Sequence, residues 1–165
     1  MAKQSTGYTV LQLSLHWLIV LLVLFQLIFG EDMGRYNYFL RSGQDVTPLL
    51  TGYYLHVGVG IAVLVLTLFR LGLRLAVGVP PSVPGPTLQV RAGEALHYLF
   101  YLMLIVTPIT GLLAQYVDMG TFGEIHSANK PVFILLILIH AAAALYHHFV
   151  LKDSTLRRMM VPGTR

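Results

Sequence analysis

His126-Ser-Ala-Asn-Lys-Pro-Val-Phe-Ile-Leu-Leu-Ile-Leu-Ile-His140 decides the fold. Two histidines bracket a strongly apolar run and lie fourteen residues apart, close to four helical turns, so both rings point roughly the same way. Polar groups at membrane depth are costly and are usually kept for a function. Three more histidines, His16, His56 and His97, also interrupt stretches of Leu, Val, Ile, Phe and Ala.

The rest of the chain supports a membrane setting. Of 165 residues, 56% are hydrophobic and 11% charged, and mean hydropathy is +0.71. A water-soluble domain of this size could not bury so much apolar surface. Four segments reach the roughly 20 residues needed to cross a bilayer: Val10–Gly30, Leu49–Leu73, Gly93–Val117 and a fourth with its apolar heart at Pro131–Leu151. The expectation is an all-α transmembrane four-helix bundle, residues 1–165 forming a single domain. Val79-Pro-Pro-Ser-Val-Pro-Gly-Pro86 cannot continue a helix and separates the second span from the third. Val10–Gly30 lacks a small-residue cleavage signature and reads as a retained helix.

Thr121-Phe-Gly-Glu124 has the form of a capping box, with threonine as N-cap. It predicts a fourth helix over 121–151, with His126 in its second turn and Pro131 inside; a start at Pro131 would leave His126 in a loop.

Lys3, Arg70, Arg74, Arg91, Lys152, Arg157, Arg158 and Arg165 fall at the two termini and the middle loop. The other two loops hold Arg35, Arg41 and Lys130 against Glu31, Asp32, Asp45, Asp118 and Glu124. This bias predicts cytoplasmic termini in a multi-pass inner-membrane protein. It also accounts for a net charge of +4 without nucleic acid, for which no motif is present. The absence of cysteine excludes disulfides, thiolate metal sites, iron–sulfur clusters and covalent c-type haem.

At about 1.5 Å per residue, His16 and His140 share a level in the cytoplasmic half, and His56 and His126 share one in the outer half, roughly 21 Å away. Facing neutral imidazoles at matched depth are what a six-coordinate haem iron requires. The pairs His16/His140 and His56/His126 are therefore the expected axial ligands of two haem irons. Gly52, Gly58, Gly60 and Gly111 would let flat macrocycles approach the backbone. His147, seven residues after His140, is an alternative inner ligand; His140 and His147 together are too close in depth to hold one haem each. His97, His147, Arg70 and Arg74 are candidates for propionate or quinone contacts. The plainer alternatives are a structural histidine at His97, interfacial residues at His147 and His148, and ordinary arginine flanks of a span.

Leu13-Ser-Leu-His-Trp17, and His140-Ala-Ala-Ala-Ala-Leu-Tyr-His-His148 running on through Phe149, Lys152-Asp153 and Leu156-Arg-Arg-Met-Met160, resemble the bacterial cytochrome b561 family. The resemblance covers nearly the whole chain. It implies two haems b, with His16, His56, His126 and His140 at the ligand positions, and electron exchange between the periplasmic face and the quinone pool. The superoxide oxidase type within that family implies superoxide as donor and ubiquinone as acceptor. Lys130, one turn after His126, and Arg41 are candidates for attracting the superoxide anion, although the outer loops carry more acid than base. Two other functions stay open: an electron conduit for a periplasmic redox partner, and a histidine-lined transporter for a metal ion or protons.

Overall fold

The computed structural model describes residues 7–163; Lys3 and Arg165, counted above among the basic flanks, lie outside the described residues. Within them the regular structure is helical, with no strand: α1 Val10–Phe29, α2 Glu31–Arg41, α3 Leu50–Val77, α4 Thr87–Tyr116 and α5 Thr121–Phe149. Single 3₁₀ turns at Thr47–Leu49 and Arg157–Met159 complete it. The four helices α1, α3, α4 and α5 are long and apolar enough to cross a membrane. At most 22% of each apolar window is buried within the protein, so most of the apolar surface is left for lipid.

Neighbours in sequence pack in space: α1 against α3, α3 against α4, and α4 against α5. A cluster of Met103, Phe133 and Leu136, extended by Val23, Phe100, Leu104 and Ile137, forms the middle of the bundle. Phe133 lies seven residues from both His126 and His140, so this apolar layer separates the two histidine levels. Gly163 N–H donates to the Tyr8 carbonyl at 3.1 Å, which brings the two ends of the described chain to one side. Around that terminal end the C-terminal segment is tied down. Trp17 Nε1–H donates to the Met159 carbonyl at 2.8 Å, and Arg158 to the Pro81 carbonyl at 2.8 Å.

Several boundaries differ from the sequence expectation. Helix α4 begins at Thr87 rather than Gly93, directly after Pro86; the proline stretch stops a helix from entering but leaves a good helical start behind it. Helix α3 runs on to Val77 and ends at Gly78, whose φ of +80° is left-handed backbone that favours glycine.

Helix α5 starts at Thr121 and contains Pro131, but the capping box does not form. Asp118 accepts from the N–H groups of Gly120 (2.9 Å) and Thr121 (3.1 Å), so the N-cap is Gly120 and Thr121 is already helical. The hydrogen bonds from Thr121 and Gly120 hold the Asp118 carboxyl below the usual carboxylate range. A capping box does form at the start of α1, where Thr9 and Gln12 exchange bonds of 3.2 and 3.0 Å.

Helix α2 was not foreseen. It carries Glu31 and Asp32 in its first turn and Arg41 in its last, matching the helix dipole. It packs on α3 through Tyr36, stacked on Tyr53 at 4.5 Å between ring centres, and through Asp32 against Gly52.

Candidate functional site

The structure brings the histidines together in two groups. At the level far from the termini, His56 of α3 faces His126 of α5, ring centres 6.0 Å apart and planes at 81°. At the terminal level, His16 of α1 faces His140 of α5 at 6.4 Å and 63°. Two imidazole nitrogens each about 2 Å from a shared metal put ring centres roughly 6 Å apart. Both pairs therefore have the separation needed to hold one iron between them.

The far site is built closely around its rings. A methyl at Gly111 of α4 would sit 2.9 Å from His126 Cε1 and 3.0 Å from its Nδ1, so glycine is what lets the imidazole lie against α4. His126 Nδ1 is 2.9 Å from the Thr107 carbonyl. A carbonyl only accepts, so Nδ1 carries the hydrogen and Nε2 is left with its lone pair, as a metal ligand needs. His56 has a buried Nδ1 without a partner, and its backbone carbonyl accepts from Gln26 Nε2 at 2.7 Å. Gly60 gives Gln26 its room, Gly52 is filled by Asp32, and Gly58 meets nothing within 4 Å. Of the four glycines expected to admit a macrocycle, Gly52 and Gly60 thus accommodate side chains of α2 and α1 instead.

Both far-side histidines open onto one cavity of 690 Å³, within the range of cofactor sites. Its lining includes Arg41, Lys130, Glu31 and Glu124. The two cations nominated from sequence thus meet at the same cavity although they lie on α2 and α5. The two acids stand in the first turns of α2 and α5, where the helix dipole favours negative charge.

The terminal site contains a third ring. His97 of α4 lies 5.6 Å from His140, and Phe100 lies 5.3 Å from it. Arg70 donates to the Gln12 carbonyl, one turn before His16, whereas the Arg74 guanidinium lies over the rings of Tyr98 and Tyr101 at 5.8 and 6.0 Å. His147 is turned to Asp153, its Nδ1 2.5 Å from Oδ2. Partial burial pushes that carboxyl up, but hydrogen bonds from His147 and Thr155 outweigh it and hold it below the usual range. His148 is exposed beside Phe149.

A family model described as prokaryotic cytochrome b561 matches residues 7–162. Similar proteins include a cytochrome b562 of Cereibacter sphaeroides, 46% identical over 96% of this chain and 98% of its own length. A probable superoxide oxidase, CybB, of Yersinia pestis is 35% identical over 93% of this chain and 95% of its own. Cytochrome b561 homolog 1 of Escherichia coli is 28% identical over 90% and 94%.

Proposed function

The chain belongs to the prokaryotic cytochrome b561 family of bacterial membrane electron-transfer proteins, which implies haem b, and from that premise we propose that it binds two haems and passes electrons from superoxide to ubiquinone. The observation that carries this reading is the pair of facing imidazole couples at two depths, joined by the single helix α5. His56 and His126 would hold one haem b and His16 and His140 the other. Bound haem supplies reversible one-electron transfer.

The chain's own residues do the rest. The Thr107 carbonyl fixes the His126 tautomer, Gly111 sets the ring's position, and the apolar Met103–Phe133–Leu136 layer stands between the two levels. With the termini in the cytoplasm, as the lysine and arginine distribution favours, the cavity faces the periplasm. Arg41 and Lys130 then offer an arriving anion local positive charge on a lining that also carries Glu31 and Glu124. Two superoxide anions yield two O₂ and two electrons; with two protons these convert ubiquinone to ubiquinol. The similarity to a probable superoxide oxidase supports the donor.

A second reading, an electron conduit for a soluble redox protein, is favoured by the loops of the cavity side, with three basic and five acidic residues; that surface suits a basic partner.

The test is haem quantitation with a redox difference spectrum, followed by anaerobic superoxide pulses onto the oxidised protein. Two haems per chain and reduction that slows at least tenfold in Arg41→Gln/Lys130→Gln are expected. Absence of a reduced b-type band refutes the haem reading and leaves a histidine-lined transporter. Equal rates in both proteins refute superoxide in favour of the conduit.

A further inference from the structure

An unpaired polar atom buried in a protein costs about 1–3 kcal/mol. Among the described residues, six side chains contain such an atom: Asn37, His56, Thr67, Thr107, Gln115 and Asn129. All except Thr67 line the one 690 Å³ cavity. Setting aside His56, whose ring faces His126, four neutral polar residues from α2, α4 and α5 each bring one unpaired side-chain atom there. Scattered polar residues in membrane helices would not be concentrated at a single void.

Their chemistry defines the missing guest. The unpaired atoms are Asn37 Oδ1, Gln115 Oε1, Asn129 Nδ2 and Thr107 Oγ1; a half-turn of the Asn37 and Gln115 amides exchanges oxygen for N–H, so that all three amides and the Thr107 hydroxyl can donate. Arg41 and Lys130 stand on the same lining. Glu31 and Glu124 share that lining, so the match is local rather than one of net charge: neutral donors beside Arg41 and Lys130 suit a group rich in acceptor oxygens. Such a group is tolerated away from water only when it is hydrogen-bonded.

We propose that Asn37, Thr107, Gln115 and Asn129 form a donor wall for the two propionate carboxylates of the haem held by His56 and His126. This rests on the haem reading above and goes further, because it assigns the carboxylate end of that cofactor to residues outside the ligand set. The wall has an electronic consequence. Carboxylate charge near the iron favours the ferric form; donors that absorb this charge favour the ferrous form. The wall therefore raises the midpoint potential of the far haem and leaves the other unchanged.

Asn37→Leu and Asn129→Leu, separately and together, remove donors without altering net charge. Redox titration of the full-length holoprotein reads both haems at once. The double variant should shift the far haem toward its oxidised form by at least tenfold, about 59 mV for one electron, with the other haem unmoved. An unchanged far potential, or an equal shift in both haems, overturns the proposal. Should the double variant fail to assemble, the wild-type chain supplied with haem dimethyl ester serves instead. At least tenfold weaker retention of the ester than of haem at the far site is expected, and equal retention overturns the proposal. A wild-type chain with no haem at the far pair defeats the underlying reading. Two haems with insensitive potentials defeat only the donor wall.

Discussion

Gly111→Ala tests how tightly the far histidine is held. Alanine is the better helix former by about 0.8–1.0 kcal/mol in a helix interior, so a glycine with no packing role should give a stabilised protein. Here the added methyl would lie 2.9 Å from His126 Cε1 and 3.0 Å from Nδ1, and ordinary contact begins at 3.4 Å. The ring must retreat by about half an ångström, which disturbs the 2.9 Å contact between Nδ1 and the Thr107 carbonyl. Overpacking of this kind costs about 1–3 kcal/mol, and weakening the hydrogen bond adds about 1 kcal/mol. These outweigh the gain in helix propensity, leaving a net loss of about 1–3 kcal/mol concentrated at one site. Gly58→Ala is the internal control, because a methyl there meets nothing within 4 Å; it should be neutral or stabilise by up to about 1 kcal/mol. The assay is thermal unfolding in detergent together with haem content and a redox difference spectrum for both variants. Gly111→Ala should lower the melting temperature and deplete or shift the far haem alone, and Gly58→Ala should do neither. If Gly111→Ala behaves like Gly58→Ala, keeping both haems and melting no lower than wild type, the cradle argument is wrong.

His126→Ala and His140→Ala should each halve the haem content and remove different features from the low-temperature α-band; removal of the same feature by both would show that the two pairs are not separate sites. Asp118→Ala should speed hydrogen exchange at the first turn of α5 and leave the first turn of α1, capped by Thr9 and Gln12, unaffected. Asp153→Asn should loosen the segment after α5, seen as faster proteolysis between Leu151 and Met160, because it weakens the contact with His147. The pH dependence has a definite sign. The Asp153 carboxyl is held below its ordinary value, so its stabilising contribution is complete above about pH 4 and is lost as pH falls through the lowered value. The wild-type segment should therefore open in acid, and the Asp153→Asn variant, which has no carboxyl to protonate there, should show no such transition.

What could be read from the chain was whatever depends on distance along a helix. Hydropathy marks the four spans, and a rise of about 1.5 Å per residue places His16 with His140 and His56 with His126, because depth is counted from the ends of the same rods. What could not be read depends on contacts between rods. Helix α2 is short and polar, and its stability comes from Tyr53 and Gly52 on α3, which no local pattern reveals. The start of α5 was found from the wrong cap: Thr121 and Glu124 have the right spacing, but Asp118 reaches the free N–H groups first. His97 stands out in the sequence as a candidate contact on the terminal side, but its place beside His140 depends on how α4 packs against α5, which spacing along one helix does not reveal.

The donor wall lies furthest from anything a linear reading can supply. Asn37, Thr107, Gln115 and Asn129 have no common spacing and come from three helices, one of which was unforeseen. Each would pass as an ordinary polar residue near a membrane surface, and only their shared cavity gives them one chemistry. The same cavity opens the centre of a bundle whose spans already turn most of their apolar surface to lipid. A bundle whose spans bury at most 22% of their apolar windows in one another has few side chains filling its centre. Its stability should then depend strongly on the guest that fills it, by the mass-action linkage between binding and folding. Chain grown without haem should melt lower than holoprotein, and re-addition of haem should restore the difference in proportion to occupancy. Equal melting of the two forms would mean that the helices, not the cofactor, set the interior.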